Sequence, residues 1–160
     1  MWLKLDLAGI DFRFRIKGYT KSLQEDWSDQ WCGVDLTLKS GEWLRYSLSP
    51  DILLSCEVEK LRNILFSIMQ EKQDLPKAIT FIEPDLSFHI HPSGFTGYAS
   101  MDLHVHLWNH GLTENYISIS FDRDDLEKLY LYLQLITGLI TRNQKRVQQL
   151  LEKGIFWENS

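Results

Sequence analysis

The sequence predicts an α+β protein: a twisted antiparallel sheet of about seven or eight strands, with two main helices covering one face. Three observations carry this. Apolar and polar residues alternate over several short stretches, the period of half-buried strands. Two longer stretches repeat apolar residues at three and four positions, the period of amphipathic helices. Tight turn signals join successive strands and force them antiparallel, because parallel neighbours need long crossovers. The 160 residues suit a single domain spanning 1–160. A chain of this size buries roughly 70% of its unfolded surface, enough for a core without disulfides or metals. With 44% apolar and 24% charged residues, disordered and collagen-like classes are excluded.

The elements follow in order. Leu3, Leu5 and Leu7 mark a first strand that breaks at Ala8-Gly9. Phe12-Arg13-Phe14-Arg15-Ile16 alternates strictly and reads as a half-buried strand, followed by a polar loop from Thr20 to Asp29. Cys32, Val34, Leu36 and Leu38 alternate against Gly33, Asp35, Thr37 and Lys39. Ser40-Gly41-Glu42 then reads as a hairpin turn, and Trp43 to Leu48 as the return strand. Ser55 is a suitable cap for a helix over Cys56–Glu71, with Val58, Leu61, Leu65 and Ile68 on one face and Glu57 and Glu59 in the first turn. Four more strands are expected at Ala78–Glu83, Asp85–Ile90, Ser100–Trp108 and Tyr116–Phe121, with a bend at Pro84. Asp122 and Asp125 form a capping pair for a second helix through Leu126, Leu129, Tyr130, Leu133 and Ile136. Its stripe continues to Val147, Leu150 and Leu151, and Gly138 leaves open whether residues 123–153 form one helix or two. Ile155, Phe156 and Trp157 read as a docked tail. Strand order within the sheet and oligomeric state are left open.

The net charge of −5 disfavours a general nucleic-acid binder, which needs a basic surface to displace counterions. It equally disfavours docking on anionic lipid. Cys32 and Cys56 form no Cys-x-x-Cys motif and read as reduced thiols. An acid interrupts the apolar start at Asp6, unlike a signal peptide, and no stretch reaches the ~20 apolar residues of a membrane span. A cytoplasmic protein is expected.

Catalytic signatures are missing: there is no Gly-x-Ser-x-Gly elbow, P-loop, Gly-x-Gly-x-x-Gly or His-Glu-x-x-His. Glu83 and Asp85 flank a proline and share one side of a strand, whereas a catalytic acid pair usually needs a cleft to shift a pKa. The most specific local feature is a set of histidines. His89 and His91 lie two apart on one expected strand, and His104 and His106 two apart on the next. Residues two apart in a strand share a face, so all four point away from the core. With a loop over Phe95–Tyr98, His89 is expected opposite His104 and His91 opposite Asp102. That arrangement suits a divalent metal, or a pH-sensitive patch, or simply the wet side of a sheet.

Tryptophans supply a second clue. Trp31 and Trp43 fall on the polar parity of their strands near Asp35, and Trp27 lies in the polar loop near Asp29. Aromatic residues on an accessible face mark interfaces. The alternative is that a helix or the loop covers them, since large aromatics are mostly buried.

Several segments resemble a known family. They are Tyr19 followed by Asp26-Trp27-Ser28-Asp29-Gln30-Trp31; Gly41-Glu42-Trp43; Leu53 through Leu61; and Phe81-Ile82-Glu83-Pro84-Asp85-Leu86-Ser87-Phe88. In this order and spacing they resemble the WapI family of bacterial immunity proteins, over about Phe12 to Leu129. The resemblance implies a small cytosolic antidote that binds and blocks the toxin domain of a polymorphic toxin, often a nuclease. An immunity protein needs no catalytic constellation, and the resemblance carries over no toxin-contact motif; no cofactor is expected, save a divalent metal if the histidines hold one. An acidic inhibitor would be steered to the basic cleft of a nuclease.

The expectation is therefore a non-enzymatic inhibitor, acting by steric and electrostatic occlusion, with Trp27, Asp29, Trp31, Asp35 and Trp43 at the contact. Replacing Trp27 or Trp43 with alanine is then expected to weaken binding by more than ~2 kcal/mol. The alternative is a metal-binding protein using His89, His91, His104 and His106. A carbohydrate-binding or structural module on the aromatic face is a third reading.

Overall fold

The computed structural model describes residues 1–23, 28–72, 74–93 and 97–158. Its elements are β1 (Trp2–Leu7), β2 (Ile10–Lys17), β3 (Trp31–Ser40), β4 (Leu44–Leu48), β5 (Asp51–Leu54), α1 (Ser55–Met69), β6 (Ala78–Thr80), β7 (Leu86–His91), β8 (Ser100–Trp108), β9 (Leu112–Phe121), α2 (Arg123–Ile136), α3 (Lys145–Glu152) and β10 (Phe156–Trp157). The protein is α+β with antiparallel pairing throughout, and helices cover the inner side of the sheet. The strands divide between two sheets. The first runs β10-β1-β2-β3-β4, with β5 also pairing β3, and the second runs β6-β7-β8-β9.

The strand count exceeds the expected seven or eight because two short strands carry no alternation. In β5, Ile52, Leu53 and Leu54 are all buried, so nothing distinguishes it from the start of the helix. β10 is two residues long and pairs Trp2 with Trp157 and Leu3 with Phe156.

The inner face of the first sheet presents Leu3, Leu5, Phe12, Phe14, Val34, Leu36 and Leu38, all buried. α2 lies on this face. Its fully buried Tyr132 stands edge-on to Phe14 at 6.0 Å, and its hydroxyl accepts the Ile16 amide at 2.9 Å and donates to the Met1 carbonyl at 3.2 Å. The second sheet joins the same core, where Phe121 meets Phe12 edge-on at 5.4 Å. α1 packs beside α2: Phe66 stacks on Tyr130 at 5.9 Å, and Arg62 Nη1 donates to Thr137 Oγ1 at 2.8 Å. Arg123 closes the other end by donating to the Met69 carbonyl at 2.7 Å.

The starts of α1 and α2 both use acids, in different ways. Asp122 caps α2 as expected, accepting the Asp125 amide at 2.9 Å. At α1 the cap position falls to Leu54 rather than Ser55, which is the first helical residue. Leucine has no acceptor, so other groups satisfy the open amides. Glu57 accepts the Leu54 amide at 2.9 Å, the Gln30 carbonyl takes the Ser55 amide at 2.8 Å, and Asp29 takes the Cys56 amide at 2.7 Å.

Gly138 settles the C-terminal region as two helices. It adopts φ +74°, its amide reaches the Leu135 carbonyl, and the Leu139 amide reaches the Gln134 carbonyl at 2.9 Å. This paired arrangement is a Schellman motif, which ends α2 and redirects the chain into α3.

Candidate partner-binding surface

Two broad sheet faces point away from the shared core. The outer face of the first sheet carries Lys4, Arg13, Arg15, Lys17, Lys39 and Arg45 against Asp6, Asp11, Asp35 and Asp51, assigned by the alternation of buried partners along β1–β4 and by the pairing of Asp51 with Gly33. It is net basic in a chain of net charge −5. The acidic balance therefore lies elsewhere.

The expected contact residues fall on or near this first face, but they do not form one patch. Trp43 is 76% exposed in the β3–β4 turn. Trp31 is half-buried at the opposite end of β3. A ten-residue strand at ~3.3 Å per residue places the two roughly 30 Å apart. Trp27 lies outside the described residues.

Asp29 and Asp35 are both buried and engaged within the fold. Besides the Cys56 amide, Asp29 accepts the Ser22 hydroxyl at 2.8 Å. Burial alone would raise its pKa, but these hydrogen bonds outweigh it and hold the carboxyl below the usual range. Asp35 accepts from Lys17 Nζ at 2.7 Å and Arg15 Nε at 2.8 Å, and also from Ser49. Burial opposes ionisation here too, and these donors overcome it, bringing the pKa down to about 2. Arg15 in turn lies 4.5 Å over the Trp2 ring. These bonds engage both carboxylates within the fold.

Several segments of the resemblance gather around the start of α1. Tyr19 donates to Glu59 at 2.6 Å, and the Ser22 amide reaches the same oxygen at 2.9 Å. Glu57 Oε1 accepts the Ile82 amide at 2.7 Å, tying the turn before Pro84 to the helix. Asp85, nearly fully buried, accepts Trp108 Nε1 at 2.7 Å, and its carbonyl takes the His106 amide. Burial, with Asp29 beside it, pushes the Cys56 thiol up to about 11, and burial raises the Cys32 thiol as well. Neither is a nucleophile at neutral pH.

A family model for the immunity protein WapI-like family matches residues 4–138. The chain belongs to this family. No curated protein and no solved structure matches it significantly. The family match ends at Gly138, the residue that terminates α2, so α3 and β10 lie beyond it.

In this WapI-like protein the second open face is the outer side of β7–β9. All four expected histidines lie on it, in a register two residues from the expected one: His89 pairs with Asp102, His91 with Ser100, and Ser87 with His104. The pairing is centred one residue earlier in the chain than expected, which moves every partner by two. His89 and His104 still meet diagonally, with ring centroids 3.9 Å apart, and His104 stacks in turn on Tyr116 at 4.2 Å. Stacked rings direct their nitrogens side by side rather than toward one point. His91 Nε2 contacts Asp102 at 2.8 Å. Among the described residues no three His, Cys, Asp or Glu side chains gather as a metal-binding group.

The composition of this sheet carried a signal that periodicity does not reveal. Residues 78–122 contain no lysine or arginine. They hold Glu83, Asp85, Asp102, Glu114 and Asp122, together with all five histidines of the chain. Trp108 and Tyr116 are about half exposed on the same side of the strands as the histidines. No helix of the described residues is long and apolar enough to cross a membrane.

Proposed function

We propose that this WapI-like immunity protein neutralises a nuclease toxin domain by covering the cleft in which that domain binds its substrate. The observation that carries the reading is the family match over residues 4–138. The charge distribution supports the nuclease assignment. With a net positive outer face on the first sheet, the rest of the molecule is more acidic than the net charge of −5 suggests. Clefts that hold nucleic acid are cationic. Opposite fields accelerate encounter and exclude wrong partners. Inhibition by occlusion needs a stable scaffold and a complementary surface, with no reacting group.

The test is a titration against the C-terminal domain of the toxin encoded by the gene immediately upstream. Saturable nanomolar binding that weakens with salt, together with stoichiometric loss of nuclease activity, is the expected result. A folded upstream domain that does not bind, or that binds and cleaves at an unchanged rate, overturns the reading.

A further inference from the structure

We propose that the toxin domain docks on the outer face of the second sheet, β7–β9, through a cationic surface seated on the His104–Tyr116 ring stack and the acids around it. The proposal rests on the immunity reading and names the surface that serves it.

Charge complementarity selects this face over the other. The outer face of the first sheet is net basic and would repel a cationic partner. The second sheet is built from a stretch without a single permanent cation. Its only groups able to carry positive charge are imidazoles.

The chemistry of the exposed rings points the same way. His89, His104 and Tyr116 form a continuous stack, at 3.9 and 4.2 Å between centroids. The exposed rings of Tyr116 and Trp108 can attract guanidinium and ammonium groups, and arginine also stacks on such rings. Because the stacked rings already support one another across the strands, little side-chain freedom remains to be lost on binding. Exposed Trp108 extends the aromatic surface, while Glu114 places a carboxylate at its edge. Tyrosine and tryptophan are the residues that most often anchor an interface.

The experiment measures affinity for the upstream-encoded C-terminal toxin domain at low salt. Three variants are compared with the unmodified chain: Tyr116→Ala, the double substitution Glu114→Lys with Ser118→Lys, and Ser47→Lys on the outer face of the first sheet as control. All the substituted residues are exposed or half-buried on the protein surface. Each face variant is expected to weaken binding about 10-fold or more, and the double substitution to slow association as well. The control is expected to stay within about 2-fold of the unmodified chain. If the double substitution perturbs folding, a mapping on the unmodified chain replaces it: carbethoxylation of exposed His91 is expected to slow in the complex. Binding by the unmodified chain, with equal affinity in the face variants or unprotected His91, overturns this surface and leaves the immunity reading standing. Failure of the unmodified chain to bind overturns both.

Discussion

Cys56 sits one residue inside α1, where its amide faces the buried carboxylate of Asp29. The pairing explains two properties with one group. The carboxylate completes the hydrogen bonding of the helix start, and it suppresses ionisation of the adjacent thiol, already disfavoured by burial. Asp29→Ala is therefore expected to cost about 1–2 kcal/mol in urea unfolding. It should also speed alkylation of the folded protein at mildly alkaline pH, because the thiol moves back toward its ordinary value of 9. Equal alkylation rates in variant and parent would remove Asp29 as the cause. Individual residues were also where the sequence was least legible. Asp35 lies on the polar parity of its strand, but parity does not say whether a polar side chain meets water or a neighbouring cation. Arg15 and Lys17, two positions apart on the adjacent strand, decide that for Asp35.

At the scale of elements, periodicity was informative wherever one face of a strand or helix is wet. The strand over residues 12–16, the hairpin after Lys39 and both main helices were legible for that reason. β5 was not, since its three apolar residues are buried whichever way they point. The histidine hairpin was legible in parity and not in register, because face depends only on alternation whereas register depends on the loop. The break between α2 and α3 turns on Gly138. A Cβ there would meet nothing within 4 Å, so substitution acts through backbone conformation alone. Gly138→Ala is expected to destabilise by about 1 kcal/mol, measured by chemical denaturation, by forcing a side chain into the left-handed region. An unchanged midpoint would mean that the turn relaxes to another conformation.

For the whole molecule, the separation of basic and acid-plus-histidine faces makes pH a global variable. Burial lowers the His104 pKa from 6.5. His89, His106 and His91 push it the same way, and Asp102 opposes them. A histidine whose folded pKa is lowered binds fewer protons folded than unfolded. Its contribution is present above the unfolded value and is lost as pH falls through about 6.5 and below. The melting temperature is thus expected to fall on acidification below pH 6.5, and less so in His104→Asn. Parallel pH profiles for the two proteins would place the acid sensitivity elsewhere. The segregation of charge was present in the sequence, but as a gap rather than a motif, and its meaning required knowing that β6–β9 form one sheet. The gap has one further consequence. Trypsin cuts after lysine and arginine, so residues 78–123 emerge as one long peptide carrying the whole second sheet. Reagents that join amines find no lysine side chain anywhere in it. A cross-linking map of the toxin complex made through lysines would show contacts everywhere except the sheet proposed here as the interface, and silence there would be the signature of its composition rather than of an empty surface.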